Sequence, residues 1–150
     1  MKHHILHGAG LALRPPLLAS LKNKEPDNLQ FLELTPPDWM GMGGKVQQDL
    51  QQLTQRYPCV CLSQSLSLGG PGMLDKAVLR DLRSFIAEHD IQVFSEALAW
   101  SADDAPLFIH LPIPSTQAAV KWTVSRIAQV QDALGMRIGV RNVTHRMAMP

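Results

Sequence analysis

Few side chains in this sequence could do chemistry, and no obvious catalytic set stands out among them. Histidines occur at positions 3, 4, 7, 89, 110 and 145. His3 and His7 would share one face of a strand, but four residues of extended chain separate them by about 13 Å, too far for one metal ion. His89, His110 and His145 stand alone in sequence, where a histidine is more often a surface or supporting group than a ligand. The two cysteines, Cys59 and Cys61, lie two apart on an expected strand and point to one face. A relaxed disulfide does not span that geometry, so both are expected as buried, reduced thiols. The loop Gly69-Gly70-Pro71-Gly72 has neither the Gly-Lys-Ser/Thr ending nor the G-x-G-x-x-G spacing of a phosphate cradle, and reads as a tight turn between strand and helix. No Ser/His/Asp or Cys/His combination carries a recognisable local signature.

Composition narrows the classes. The chain has 150 residues, 45% hydrophobic and 18% charged, with 14 basic and 13 acidic side chains and a formal net charge of +1. A chain of this length is expected to form a single domain over residues 1–150. So even a balance leaves no electrostatic footprint for nucleic acid or an anionic membrane. The start, Met1-Lys2-His3-His4-Ile5-Leu6-His7, lacks the apolar stretch of a secretory signal. No run reaches the 18 or so apolar residues of a spanning helix. A cytoplasmic protein is expected.

The elements that must position any site alternate. Ile5–Ala9, Phe31–Thr35, Cys59–Ser63, Gln92–Ala97 and Arg137–Asn142 read as strands. Helical spacing fills Leu17–Asn23, Lys45–Arg56, Leu74–His89 and Thr116–Leu134, with Pro15-Pro16 suited to open the first of these. The last helix is the clearest, its apolar face marked by Ala119, Trp122, Val124, Ile127, Val130 and Leu134, with Gly135 as its stop. Pro106–Pro114 reads as an apolar loop bounded by prolines. This rhythm predicts an α/β fold with a parallel sheet. A closed eight-stranded barrel needs roughly 200 residues, so the expectation is a partial TIM-type (βα) barrel of about five parallel strands and four helices.

Six segments then carry a resemblance. They are 8–16 (GAGLALRPP), 31–41 (FLELTPPDWMG), 66–70 (LSLGG), 95–101 (SEALAWS), 111–114 (LPIP) and 130–135 (VQDALG). In order and spacing they resemble the multinuclear non-haem iron-dependent oxidases, a family long held as uncharacterised, which includes the iron-binding subunit that modifies the peptide precursor of methanobactin. The resemblance covers about residues 8 to 145 and corresponds to the first half or so of that family's TIM-type barrel.

The departures fall on the motif positions that would hold or surround iron. The His-Pro-Glu-Asn pattern at the end of the second strand is here Thr35-Pro36-Pro37-Asp38, and His-Gly on the third is Leu62-Ser63. Ser-Glu-His becomes Ser95-Glu96-Ala97, the acidic residue before the Leu-Pro loop falls at about Ile109, and Glu-Asn on the fifth strand becomes Arg141-Asn142. Glu96 and Asn142 alone keep their chemistry. Iron needs several converging imidazole and carboxylate ligands, so no cofactor is expected, with iron as the alternative. The resemblance leaves a polar cluster at the strand ends: Glu33, Asp38, Glu96, Arg141 and Asn142. If the family's metal positions point into the barrel, Glu33, Thr35, Leu62, Glu96 and Arg141 point inward, while Leu32, Leu34, Cys61 and Val140 face the helices. Arg141 is then expected to pair with Glu96 in place of the cation, or else to extend to solvent.

Three functions follow as expectations. The first is a degenerate, non-catalytic relative that binds a peptide or serves in assembly, as a homodimer or with a second polypeptide that completes the barrel, because open sheet edges invite association. The second is a residual metal-dependent enzyme acting on a peptide, with Glu96, His110, His145 and Asp38 recruited as ligands. The third is a truncated gene product without a selected role.

Overall fold

Gly10 leaves room for an aromatic ring from the neighbouring strand. A Cβ on Gly10 would lie 2.1 Å from the Phe31 ring, so the ring packs where a larger residue would stand. Strand β1 runs over Ala9–Ala12 and pairs in parallel with β2, Leu29–Leu34, placing Gly10 beside Phe31 and Leu11 beside Leu32. This is later in the chain than the Ile5–Ala9 expected, and Ile5 itself lies outside the described residues. The structure, a computed structural model, describes residues 6–24, 26–103 and 105–143.

Five strands form one sheet in the order β1-β2-β3-β4-β7. Strand β3 is Cys59–Ser63, β4 is Ile91–Leu98 and β7 is Gly139–Asn142. The β1–β2, β2–β3 and β4–β7 pairings are parallel. Helices α1 (Leu18–Asn23), α2 (Gly44–Arg56), α3 (Lys76–Glu88) and α4 (Gln117–Leu134) alternate with these strands. Five parallel-order strands and four helices make this a partial TIM-type α/β fold. No helix among the described residues is long and apolar enough to cross a membrane.

The chain divides into two compact units, residues 1–62 with 84–94, and residues 63–83 with 95–150. In the first, strand alternation sorts the side chains. Leu32, Leu34, Cys59 and Cys61 are buried, together with Leu18 and Leu21 of α1 and Leu50 and Leu53 of α2. Glu33 and Val60, paired in register, lie half-buried between them in sequence. Pro15–Leu17 forms a short 3-10 turn that leads into α1. Lys22 of α1 pairs with Asp49 of α2.

In the second unit, the Asp75 side chain caps α3 by accepting from the Ala77 amide at 2.7 Å, which sets the helix start two residues later than Leu74. Thr116 caps α4 in the same way, accepting from the Ala119 amide at 3.1 Å, and Gly135 ends it at φ 70°. Two expectations are corrected here. The segment expected as an apolar loop is largely a strand, β6 (Pro106–Leu111), in an antiparallel pair with β5 (Trp100–Ala102). The buried face of α4 is Thr123, Arg126, Val130 and Leu134, while Trp122 and Val124 are 46% and 60% exposed. Spacings of three, four and four keep these positions on one side of the helix, and that phase admits a threonine and an arginine.

Candidate functional site

Loop 64–75, between β3 and α3, is held by side chains that reach it from several elements of the second unit. Ser67 has a left-handed backbone, φ 49°. Its hydroxyl accepts from the amides of Ser101 and Ala102, each at 3.0 Å, and donates to the Ala102 carbonyl at 2.9 Å. Gly69 donates to the Ala99 carbonyl at 2.9 Å. Gly70 has no room for a side chain as the loop stands, because an added Cβ would lie 2.4 Å from the Ser67 hydroxyl and 2.8 Å from the Ala102 carbonyl.

Arg126 is the main strap on this loop. Its guanidinium donates to the carbonyls of Gly72, Ser67 and Leu66, at 2.5, 3.1 and 3.4 Å. It lies 5.5 Å from the centre of the Trp122 ring, whose Nε1 donates to the Gly70 carbonyl at 2.9 Å. The planar fork of arginine suits several acceptors at once.

Beneath the loop sits Glu96, fully buried. Its Oε1 accepts from the Leu66 amide at 3.2 Å, and its Oε2 is buried without a hydrogen-bond partner among the described residues. Burial pushes this carboxyl up to about 7, against the opposing pull of the Ser63 hydroxyl, the Leu66 and Ala97 amides and the Arg141 charge. A carboxyl near 7 exchanges a proton easily at neutral pH.

The expected Glu96–Arg141 ion pair does not form. Glu96 lies beside Val140 in register, and Arg141 beside Ala97. Successive side chains on a strand alternate in direction, so the two charged groups leave the sheet on opposite faces. The ion pairs among the described residues are Arg14–Asp38, Lys22–Asp49 and Arg80–Asp81. Arg141 acts on Glu96 through its field, and its Nε and Nη2 are buried, without hydrogen bonds among the described residues, rather than extended to solvent.

The remaining expected residues are spread out. Glu33 lies on β2, in the first unit. Asp38, in a 3-10 turn of the same unit, is engaged by Arg14 at 2.6 Å. Asn142 is exposed on β7 beside Leu98. His110 lies on β6 rather than in a loop, and His145 lies outside the described residues. Within the second unit, Glu96, Arg141 and Asn142 share the paired strands β4 and β7. Sequence reasoning missed Arg126 and Ser67. The available signal for Arg126 was its phase with Val130 and Leu134 on the core side of α4.

Sequential strands joined by helices, with polar groups toward their carboxyl ends, define a partial TIM-type barrel protein. The chain belongs to the family described as RiPP precursor modification enzyme MbnB/TglH/ChrH, whose model matches residues 8–150. It is 39% identical over 141 residues to a UPF0276 protein of Nitrosospira multiformis, covering 94% of this chain and 50% of that one. It is 37% identical over 150 residues to a UPF0276 protein of Pseudomonas aeruginosa, covering 100% of this chain and 53% of the relative. A UPF0276 protein of Acinetobacter baylyi is 38% identical over 141 residues, 93% of this chain and 48% of the other. The chain thus spans about half the length of the curated relatives it matches.

The iron implied by the resemblance finds no fit in the described residues. No three His, Cys, Asp or Glu side chains gather there closely enough to hold an ion. Glu96 is a single carboxyl under the field of an arginine, where a metal needs several convergent donors.

Proposed function

We propose that this chain is a non-catalytic member of its family, a binding or assembly module for a peptide, working in the cytoplasm as a homodimer or with a second polypeptide. The observation that carries this reading is the isolation of Glu96: a buried carboxyl whose neighbours are a serine, two amides and an arginine field, and which joins no cluster of three His, Cys, Asp or Glu side chains among the described residues. The family description supports a precursor peptide as the ligand class. Strands β1 and β7 stand at the two ends of the sheet order, and such edges are templates for association.

The test is metal content measured together with solution mass on the purified chain. The expected result is iron, manganese and zinc well below one equivalent, with a mass of at least two chains at micromolar concentration. A stoichiometric metal overturns the non-catalytic reading. A monomer mass at that concentration overturns the homodimer, and co-purification from the native source then tests the second polypeptide.

The unpartnered Oε2 of Glu96 supports one other reading, a residual metal-dependent enzyme acting on a peptide. Stoichiometric metal that is lost on Glu96→Gln is its signature.

A further inference from the structure

A cleft of about 230 Å³ opens in the first unit at the amino ends of β3 and β4, whereas Glu96 lies toward the carboxyl end of β4. Its walls include Thr54, Gln55 and Arg56 at the end of α2, Tyr57 after it, Asp90 in the turn before β4 and Gln92 at the start of β4. The volume is below the range of about 300–1,000 Å³ typical for drug-sized ligands, so the occupant is smaller than that.

Side chains of both signs line it. Arg56 and Asp90 line the same cleft, yet neither forms an ion pair among the described residues. Asp90 is held in a left-handed conformation, φ 46°, in a turn where Gln92 Nε2 donates to the Asp90 carbonyl at 2.9 Å. Strain of this kind in a non-glycine residue marks a position the surroundings enforce. The last carbonyls of α2 have no partners within the helix, and the helix dipole makes that end negative. Thr54 is already committed, its hydroxyl 3.0 Å from Nδ1 of His89. The groups left to meet a ligand are therefore the Asp90 carboxylate and the helix-end carbonyls for a cation, and the Arg56 guanidinium for an anion.

We propose that this cleft binds a free α-amino acid, with its ammonium group against Asp90 and the end of α2 and its carboxylate against Arg56. Both charged residues are exposed, and solvated ion pairs are weak. The affinity is accordingly in the millimolar range and falls as salt rises.

Titration of the ¹⁵N-labelled chain with L-alanine tests this independently of any peptide or metal binding elsewhere. The expected result is a saturating shift of the Gln55 and Gln92 side-chain amides and of the Asp90 amide. Propylamine and propionate, which each carry half of the ligand, should bind at least about tenfold more weakly than alanine. Arg56→Gln should bring alanine down to the level of propylamine, and Asp90→Asn down to that of propionate. Both changes are at exposed positions, and asparagine tolerates the left-handed backbone; unchanged thermal unfolding confirms that each variant folds. No saturating shift with alanine up to about 100 mM, far beyond the millimolar range, overturns the proposal. So does an undiminished response in the double variant.

Discussion

The Leu66 amide donates to Oε1 of Glu96 across 3.2 Å, which makes a carboxyl near the end of β4 the floor of the loop after β3. The other oxygen of that carboxyl is buried without a hydrogen-bond partner among the described residues. An unpaired charge so placed is costly, and the protein relieves the cost by taking up a proton.

That relief has a pH signature. In the unfolded chain Glu96 titrates near 4.5, and in the folded protein near 7, raised chiefly by burial. The folded state therefore binds more protons between these values, and stability from this group is full below about pH 4.5, declines up to about 7 and is flat above. A rise from 4.5 to about 7 corresponds to roughly 3 kcal/mol. His89, lowered by burial, slopes the other way on the acid side of 6.5, so the comparison needs a variant. Urea unfolding of wild type and Glu96→Gln should show the variant gaining relative stability from pH 5 to pH 8. An unchanged difference between the two proteins across that range would contradict the buried, protonating Glu96.

Gly70→Ala tests the packing under the loop. The new methyl group would stand 2.4 Å from the Ser67 hydroxyl, 2.8 Å from the Ala102 carbonyl and 2.9 Å from the Trp100 ring, and two of these neighbours are fixed in hydrogen bonds. Overpacking of this kind costs roughly 1–3 kcal/mol. Denaturant unfolding should register that loss, and an unaffected midpoint would show that the loop yields.

The cysteines should be inert in the native protein. Burial, with the Asp90 charge behind it, pushes the Cys59 thiol up to about 12. Cys61 is raised further, by burial first and then by Cys59 and Glu33. The thiolate is the reactive form. Iodoacetamide at pH 8 should therefore label neither cysteine until urea is added, after which mass spectrometry should find two adducts. Rapid labelling of the folded chain would mean that the β3 thiols are accessible.

Much of this fold could be read from spacing. The buried set Leu32, Leu34, Cys59 and Cys61 follows from period-two alternation, and Gly135 and Thr116 mark the ends of α4 by their chemistry alone. The β5–β6 hairpin was hidden because Pro106, Pro112 and Pro114 look like breakers, whereas Pro106 occupies a strand's first position, where proline is tolerated. The Glu96–Arg141 pairing failed through register: a one-residue offset between β4 and β7 reverses the face of every side chain, and no local pattern fixes that offset. Arg126 was obscured for a different reason. Its worth lies in three carbonyls distant in sequence, and hydrophobicity counts an arginine as surface.

Arg126 is also where the most severe single change is expected. Its guanidinium satisfies the carbonyls of Leu66, Ser67 and Gly72, and it lies within cation–π distance of the Trp122 ring. Methionine in its place would fill much of the volume and leave the Leu66 and Gly72 carbonyls without that donor, while the Ser67 carbonyl keeps the Gly70 amide at 2.8 Å. Each unsatisfied group costs about 1–3 kcal/mol, so Arg126→Met should lose at least about 2 kcal/mol of stability in urea. Arg126→Lys keeps the charge but not the fork and should fall between the two. Local readouts separate this from general loss of packing. Hydrogen exchange of the Gly69 and Ser101 amides, both bonded within the loop's frame, should accelerate in both variants more than that of Leu32, which donates to Pro58 at 3.0 Å in the first unit. Uniform acceleration of all three would show that Arg126 supports the fold as a whole and not the loop above Glu96.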